Sequence, residues 1–328
     1  MPADQTMENQ HIRRIPQDSW VRKLCFMAHR ETATIRLIMS PCWKAVVAAL
    51  LWLALPAVSR AQPKEAEPDA LIRQAFGRLY NFDFRGTHEI LEKQIRLYPQ
   101  DPLGPAVDAV AYLFTELYRL RILELDFFTS DEKFVDRRKL VPDPAARQAF
   151  QQQIDNAERL AQARLAVNPD DRSAVFSMCV TTGLTVDYAV LIEKRRFGSY
   201  SLAKRNQFWA RKSLALNPPV YDAYVTIGTA EYIVGSLPFF LRWFVRFDQI
   251  KGNKQTASEV LEVVVQKGKY YGPLARILMA VIDLRERRRA EGEKLLVGLV
   301  ADFPENPLLR KELAKVGGRG PGAGGQGQ

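Results

Sequence analysis

Few side chains that carry out chemistry remain in this chain once its first 61 residues are set aside. His88 and Cys179 are then the single histidine and the single cysteine. With one residue of each kind, we expect no His/Cys zinc site, no Ser-His-Asp triad and no Cys-His pair. We expect His88 to lie at the surface or to cap a helix, and Cys179 to be a small buried core residue.

Carboxylate catalysis needs only two acids held about 5 to 9.5 Å apart, and one stretch of the chain has such residues. Glu116, Glu124 and Asp126 lie there among aromatic side chains and could line a groove. Charged residues on a helical stretch more often face solvent or pair with neighbours, which here are Arg119 and Arg121. The sequence also lacks a glycine-rich phosphate-binding motif. We therefore predict a chain that is not an enzyme and that binds no cofactor or metal.

The charge of the chain does not indicate nucleic-acid binding. The formal net charge is +10, but eight basic and four acidic residues lie in the first 61, and the rest carries 39 basic against 33 acidic residues, or +6. A charge of this size mostly favours solubility. The longest basic cluster, Arg285–Arg289, has the spacing of a solvated helix face beside Glu286. No nucleic-acid partner is expected.

The first 61 residues have the layout of an export signal. Residues 45–58 are apolar and uncharged, Lys44 precedes them, and the small-x-small sequence Ser59-Arg60-Ala61 follows. We expect a signal peptide over 39–61, cleaved after Ala61, and a periplasmic or secreted protein. As a helix the apolar stretch would be about 21 Å long, against about 30 Å of hydrocarbon. The alternative is an inner-membrane anchor formed by uncleaved 45–58. Residues 1–38 are predicted to be a non-native extension or disordered.

Helical periodicity governs the remainder of the chain, from about residue 71 to 316. Apolar residues recur at three- and four-residue spacing, which predicts an all-α fold. Four prolines come directly after stretches with this periodicity. Because proline cannot continue a helix and disfavours a helical residue before it, each of the four is predicted to follow a helix end. These prolines are Pro99, Pro169, Pro218 and Pro304.

The residues before these prolines repeat. Four positions before each proline the residue is aliphatic, and twelve positions before it the residue is small or short, as close helix contacts require. The twelfth positions are Thr87, Ala157, Asn206 and Gly292.

This pattern resembles the second helix and closing proline of the tetratricopeptide repeat. The first helix of that repeat is matched best by Tyr224, Ile227 and Gly228. The prolines are 70, 49 and 86 residues apart, whereas the family repeats about every 34 residues. The resemblance therefore implies a solenoid of degenerate helical hairpins over 62–316 with insertions, and an irregular helical bundle is the alternative.

Three segments depart from the repeat pattern. Residues 130–144 are polar and predict a loop, and residues 317–328 are glycine-rich and predict a disordered tail. Residues 236–252 contain eight large apolar side chains within eleven positions and predict an aromatic helical insertion. Such density exceeds what one helix face needs for docking. The segment is predicted either to fill the core of the solenoid or to form an exposed anchor.

A helical solenoid presents side chains from its inner helices, and this geometry suits a protein or peptide partner. We expect an exported scaffold for protein–protein interaction in the cell envelope. The alternative is a helical protein that binds a membrane surface or lipid through 236–252. The candidate partner-binding residues are Phe239, Arg242, Trp243, Arg246, Tyr112, Tyr188, Tyr224 and Tyr232. For each of the four tyrosines, the alternative is a role in packing.

Overall fold

Helices make up all the regular structure of the described residues. The computed structural model describes residues 67–130, 140–195, 199–237 and 250–318, and within these ranges there is no β-strand. The predicted all-α class is confirmed. The segments 1–66, 131–139, 196–198, 238–249 and 319–328 lie outside the described residues.

The described ranges contain twelve α-helices. A π-helical turn, Tyr188–Ile192, extends the sixth, and a 3-10 turn, Tyr221–Ala223, precedes the eighth. The helices are α1 Glu67–Tyr80, α2 Phe84–Leu97, α3 Leu103–Arg119, α4 Leu125–Thr129, α5 Pro144–Val167, α6 Arg172–Asp187, α7 Ser199–Ala215, α8 Tyr224–Ser236, α9 Lys254–Lys267, α10 Gly272–Arg285, α11 Arg289–Asp302 and α12 Pro307–Gly318.

The helices pack as neighbouring pairs. The pairs are α1 with α2, α3 with α5, α6 with α7, α8 with α9, and α10 with α11, and α12 packs on α11. Each pair also contacts the next one along the chain. The short helix α4 lies in the connection between α3 and α5 and packs on α10 instead.

Short polar side chains start several of these helices. Asp83 accepts the Gly86 amide at the start of α2, and Asp171 accepts the Ala174 amide at the start of α6. Asn253 caps α9 in the same way. These side chains bond amides that have no partner within the helix, so the local sequence determines where each helix begins.

Four helices end shortly before the four prolines, as predicted. Helices α2, α5, α7 and α11 end at Leu97, Val167, Ala215 and Asp302, two or three residues before Pro99, Pro169, Pro218 and Pro304 respectively. This prediction is confirmed.

The small residues twelve positions before the prolines are all buried, which confirms that prediction too. Thr87 and Ala157 are 0% exposed and Asn206 is 9% exposed. Gly292 faces Leu284 of α10 so closely that a Cβ atom there would lie 2.9 Å from Leu284 Cγ. Each of these positions lets its helix approach a neighbouring one.

Helix α3 contributes the most residues to the largest hydrophobic cluster, to which α1 and α6 also contribute. By length and composition alone, the 21-residue helical stretch Arg172–Ile192 could cross a bilayer, but 67% of its most apolar window is buried among the other helices. That burial is typical of a core helix in a folded domain.

Helix α1 contacts two segments near the C-terminal end of the helical series along a surface that we call the seam. It consists of α1, the turn 268–271 before α10, and residues 303–309 around the start of α12. The Tyr80 hydroxyl donates to the Tyr270 carbonyl at 3.0 Å, and the Tyr270 hydroxyl donates to Asp69 Oδ1 at 2.7 Å. Asn306 donates to the Tyr80 carbonyl at 2.8 Å and caps α12 through the Leu308 and Leu309 amides. The helical series is therefore closed by its own ends.

Candidate functional site

The four predicted groove tyrosines take part in packing. Tyr188 and Tyr232 are buried, and Tyr112 and Tyr224 are half-buried. Tyr188 stacks on Phe150 with ring centroids 5.1 Å apart. Tyr112 and Tyr188 belong to one hydrophobic cluster, while Tyr224 and Tyr232 belong to another. The structure does not bring the four tyrosines together in one groove.

Aromatic side chains of the seam fill the space between α1 and α6. Tyr270 lies between Phe76 of α1 and Phe176 of α6, with centroid distances of 5.5 and 6.0 Å. Tyr271 contacts the same two rings at 5.5 and 5.9 Å. The turn that precedes α10 therefore occupies the space between these two helices.

The carboxylate of Asp222 holds this turn in place. It is 2% exposed and accepts the backbone amides of Lys269, Tyr270 and Tyr271 at 2.9, 2.8 and 2.7 Å. Burial raises the pKa of Tyr271 well above its usual value, and the negative charge of Asp222 adds to the shift. The tyrosine hydroxyl therefore stays protonated in the physiological range.

The four predicted binding residues of the aromatic insertion, Phe239, Arg242, Trp243 and Arg246, lie outside the described residues, but the base of the segment is described. Glu231 of α8 is 4% exposed and accepts the backbone amides of Lys251 and Asn253 at 3.2 and 2.8 Å. A buried carboxylate with two amide donors is firmly fixed. The chain that re-enters before α9 is thus fastened to α8.

Two glycines bring the ends of the segment into contact. A Cβ atom on Gly235 would lie 2.7 Å from the Gly252 carbonyl oxygen, a distance that real side chains do not adopt. Gly252 has a φ of +72°, which disfavours residues with a side chain. Glycine at both positions allows α8 and the chain before α9 to lie side by side at the base of 238–249.

A second set of contacts closes the same base. The Tyr232 hydroxyl donates to Glu286 Oε1 at 3.1 Å, and Lys254 Nζ donates to that oxygen at 2.6 Å. The bond from Lys254 holds the pKa of Glu286 below its usual value. Tyr232, predicted to bind a partner, thus links the ends of α8, α9 and α10. Glu231 and Glu286 were not predicted, although a lone glutamate within the apolar run of α8 is a signal that could have identified Glu231.

The carboxylates considered for catalysis are held in ion pairs. Glu116 receives two hydrogen bonds from Arg119, at 2.8 and 2.7 Å, and one from the Asp143 amide at 2.9 Å. Glu124 pairs with Arg121 and with Lys311 of α12. Burial opposes ionisation of Glu124, but these two cations outweigh it and lower its pKa to about 2. The predicted pairing with Arg119 and Arg121 is confirmed.

His88 and Cys179 are both engaged in contacts within the fold. His88 Nδ1 is 2.6 Å from Oδ1 of the buried Asp108, and among the described residues no serine or cysteine hydrogen-bonds the imidazole. A single histidine is therefore enough to form a His-Asp pair, which our argument from the number of histidines overlooked. Cys179 is 4% exposed, and burial raises the pKa of its thiol to about 12. The prediction of a buried core cysteine is confirmed.

The basic cluster Arg285–Arg289 is largely engaged within the fold. Arg285 donates to the Phe128 carbonyl, Arg288 pairs with Asp283, and Arg289 donates to the Val316 carbonyl. The expectation of a simply solvated face is wrong for Arg285 and Arg289, since they connect α10 to α4 and α11 to α12. Arg288 is exposed, as expected.

Within the four described ranges, no group of three or more histidine, cysteine, aspartate and glutamate side chains is placed to hold a metal ion. Comparisons of the chain with models of protein families, with curated proteins and with solved structures gave no match. The site is therefore judged on its own geometry.

Proposed function

We propose that the chain is an exported scaffold of the tetratricopeptide-repeat type, which binds a protein or peptide partner in the cell envelope through residues 236–252. The observation that carries this proposal is the rigid base of that segment. Glu231 and the contact between Gly235 and Gly252 fasten its two ends to α8. An aromatic segment on a preorganised base loses little entropy on binding.

The chemistry of the segment supports the same role. Phe239 and Trp243 are aromatic anchors of the kind that dominate protein interfaces, and Arg242 and Arg246 flank them. Within the described residues, the seam fills the space between α1 and α6 with Phe76, Tyr270 and Tyr271. A partner is therefore accommodated at an added segment and not between the hairpins. Paired helices packed in sequence order are consistent with degenerate repeats.

Export is the second part of the proposal. It rests on the apolar residues 45–58 and on Ser59-Arg60-Ala61. N-terminal sequencing of the native protein from envelope fractions is expected to give Gln62. Recovery of the intact apolar stretch in membranes would establish the anchored alternative, and recovery from the cytosol would contradict export.

Partner binding is tested with a photoreactive amino acid placed at Trp243 in the protein's own cells. We expect a discrete adduct with one protein. The matched control is the same amino acid at Val297, which is 52% exposed on the outer face of α11. Changing Phe239 and Trp243 together to Ala, with the photoreactive residue moved to Arg242, is expected to abolish the adduct while the melting temperature barely changes.

Two results would contradict the proposal. One is a pair of identical adduct patterns at positions 243 and 297. The other is a loss of several kcal/mol of stability in the double variant, which would show that the two side chains are buried, since truncation of a buried aromatic costs about 3 to 5 kcal/mol.

A further inference from the structure

Helix α7 differs in charge from the other helices on the outside of the pairs. It carries four basic residues and no acidic one, and the whole sequence from 194 to 221 has seven basic residues and no Asp or Glu. Helix α11, which occupies the corresponding position in the last pair, carries Glu291, Glu293 and Asp302 against Arg289 and Lys294. The basic region is therefore local and does not reflect the average charge of the chain.

The exposed face of α7 combines these cations with aromatic rings. Tyr200, Lys204, Phe208 and Arg211 recur at helical spacing, so they share one face. The exposed fraction is 41% for Tyr200 and 59% for Phe208. The opposite face, which includes Ala210, is buried and packs on α6. The stripe of exposed residues is therefore not needed for packing of the helix.

Only part of this positive charge is neutralised within the fold. Arg205 pairs with Glu158 of α5. Lys204 lies over the Tyr200 ring at 5.5 Å, and Lys212 lies over the Trp209 ring at 5.7 Å, contacts that leave the charge in place. Arg211 has no acidic partner in the part of the chain that the structure describes. The face keeps a net positive charge beside exposed aromatic side chains.

From this geometry we propose that the outer face of α7 docks on the surface of an anionic phospholipid bilayer. A 17-residue helix is about 25 Å long and can lie flat on a planar surface. Aromatic rings favour the headgroup region, while lysine and arginine are attracted by anionic lipid. Charge complementarity identifies the occupant, and the exposed Phe208 ring favours a bilayer over a purely polar acidic surface. The inference concerns a different surface from 236–252 and does not depend on the proposed function.

The test is co-sedimentation of the protein, as isolated from its own cells, with two kinds of vesicle. One is phosphatidylcholine mixed with phosphatidylglycerol, and the other is phosphatidylcholine alone. We expect binding to the anionic vesicles that weakens as salt is raised. Each cation near an anionic surface contributes about a fivefold change in binding. Lys204→Gln combined with Arg211→Gln is therefore expected to weaken binding about 25-fold, and Phe208→Ala to weaken it further.

Matched controls lie on α11. Lys294→Gln and Val297→Ala remove an exposed cation and an exposed apolar side chain from an outer face that also carries acids, and we expect binding to remain unchanged. Melting temperatures of all variants verify that they are folded. The proposal is overturned by equal binding to both kinds of vesicle, by equal losses in the α7 and α11 variants, or by α7-dependent binding to an acidic protein with none to anionic vesicles.

Discussion

Two buried carboxylates have the same role in two regions of the molecule. Asp222 binds three amides of the turn before α10, and Glu231 binds two amides of the chain before α9. Asp222 lies in the 3-10 turn before α8 and bonds the turn of the seam, where aromatic rings fill the surroundings. Glu231 lies at the base of 236–252, the segment with the densest aromatic sequence.

The two regions differ in what the bonded chain does: one holds the fold together, and the other supports the proposed binding segment. In the seam, the rings of Tyr270 and Tyr271 in the bonded turn pack against Phe76 and Phe176, so these two side chains are engaged within the fold. At the base of 236–252, the same kind of bond fixes the chain directly before α9. We infer that Asp222 supports the fold as a whole, whereas Glu231 also positions the proposed binding segment.

The largest effect is expected for Asp222→Ala. The change leaves the amides of Lys269, Tyr270 and Tyr271 buried without an acceptor, and we expect a loss of about 3 to 5 kcal/mol in the free energy of unfolding. Urea denaturation measures it. Asp170→Ala, at an exposed aspartate, is the control and is expected to change stability by less than about 0.5 kcal/mol. Equal stability of the two variants would contradict the role of Asp222.

Glu231→Ala is expected to cost less stability, about 2 to 4 kcal/mol, because two amides lose their acceptor. Partner binding by this variant should fall more than partner binding by any Asp222 variant that remains folded. The reason is that residues 236–252 are then less well positioned. Photocrosslinking from Trp243 at a temperature where both variants are folded measures the difference. If both variants retained the same partner adduct, Glu231 would have no role beyond stability.

Acid is expected to weaken the contact between the α3–α4 connection and α12 through Glu124. The pKa of this residue is about 2 in the fold, below the usual value of 4.5. Its stabilising contribution is therefore present above about pH 4.5 and is lost as pH falls towards 2. The contribution is on the order of 1 kcal/mol, because water screens the ion pairs. Unfolding of wild type and Glu124→Gln should converge over this window, and parallel pH curves would contradict the assignment.

Asp187 provides the opposite case, a carboxylate without a hydrogen-bond partner among the described residues. The residue is exposed to solvent, but partial desolvation of its carboxyl group raises its pKa to about 6 from the usual 3.8. Ionisation therefore lowers stability as pH rises from about 4 to 6. Asp187→Asn is expected to gain on the order of 1 kcal/mol at neutral pH after allowance for solvent screening, and nothing below about pH 4. A loss of stability at neutral pH would indicate that the carboxylate has a partner.

Local features of the fold were predictable from the sequence. The proline positions predicted the ends of α2, α5, α7 and α11, and the small residues predicted the close helix contacts. Both features depend on a few neighbouring residues. The pairing of Glu116 with Arg119 was predictable for the same reason, since residues three apart on a helix are adjacent. Arg121 and Glu124 are also three residues apart, but they pair in the turn between α3 and α4.

The seam was not predictable in this way. Tyr80 bonds a carbonyl 190 residues further along the chain, and no local pattern shows which helices will meet at that separation. Tyr270 and Tyr271 lie between Gly268 and Gly272, and this local sequence carries no information on which helices the two rings contact. The basic face of α7 was missed because the net charge was averaged over the chain. The absence of acidic residues from 194 to 221 was the signal for it.

Closure of the helical series by its own ends is tested most directly by zero-length carbodiimide crosslinking of the monomeric protein. Lys269 pairs with Asp69 of α1 in the seam, and Lys311 of α12 pairs with Glu124 of the α3–α4 connection, and both pairs should be joined within one chain. Lys254 and Glu286, which join the neighbouring helices α9 and α10, form the control pair because they meet in an open or a closed series. We predict all three crosslinks in the monomer. The control crosslink alone would contradict the seam.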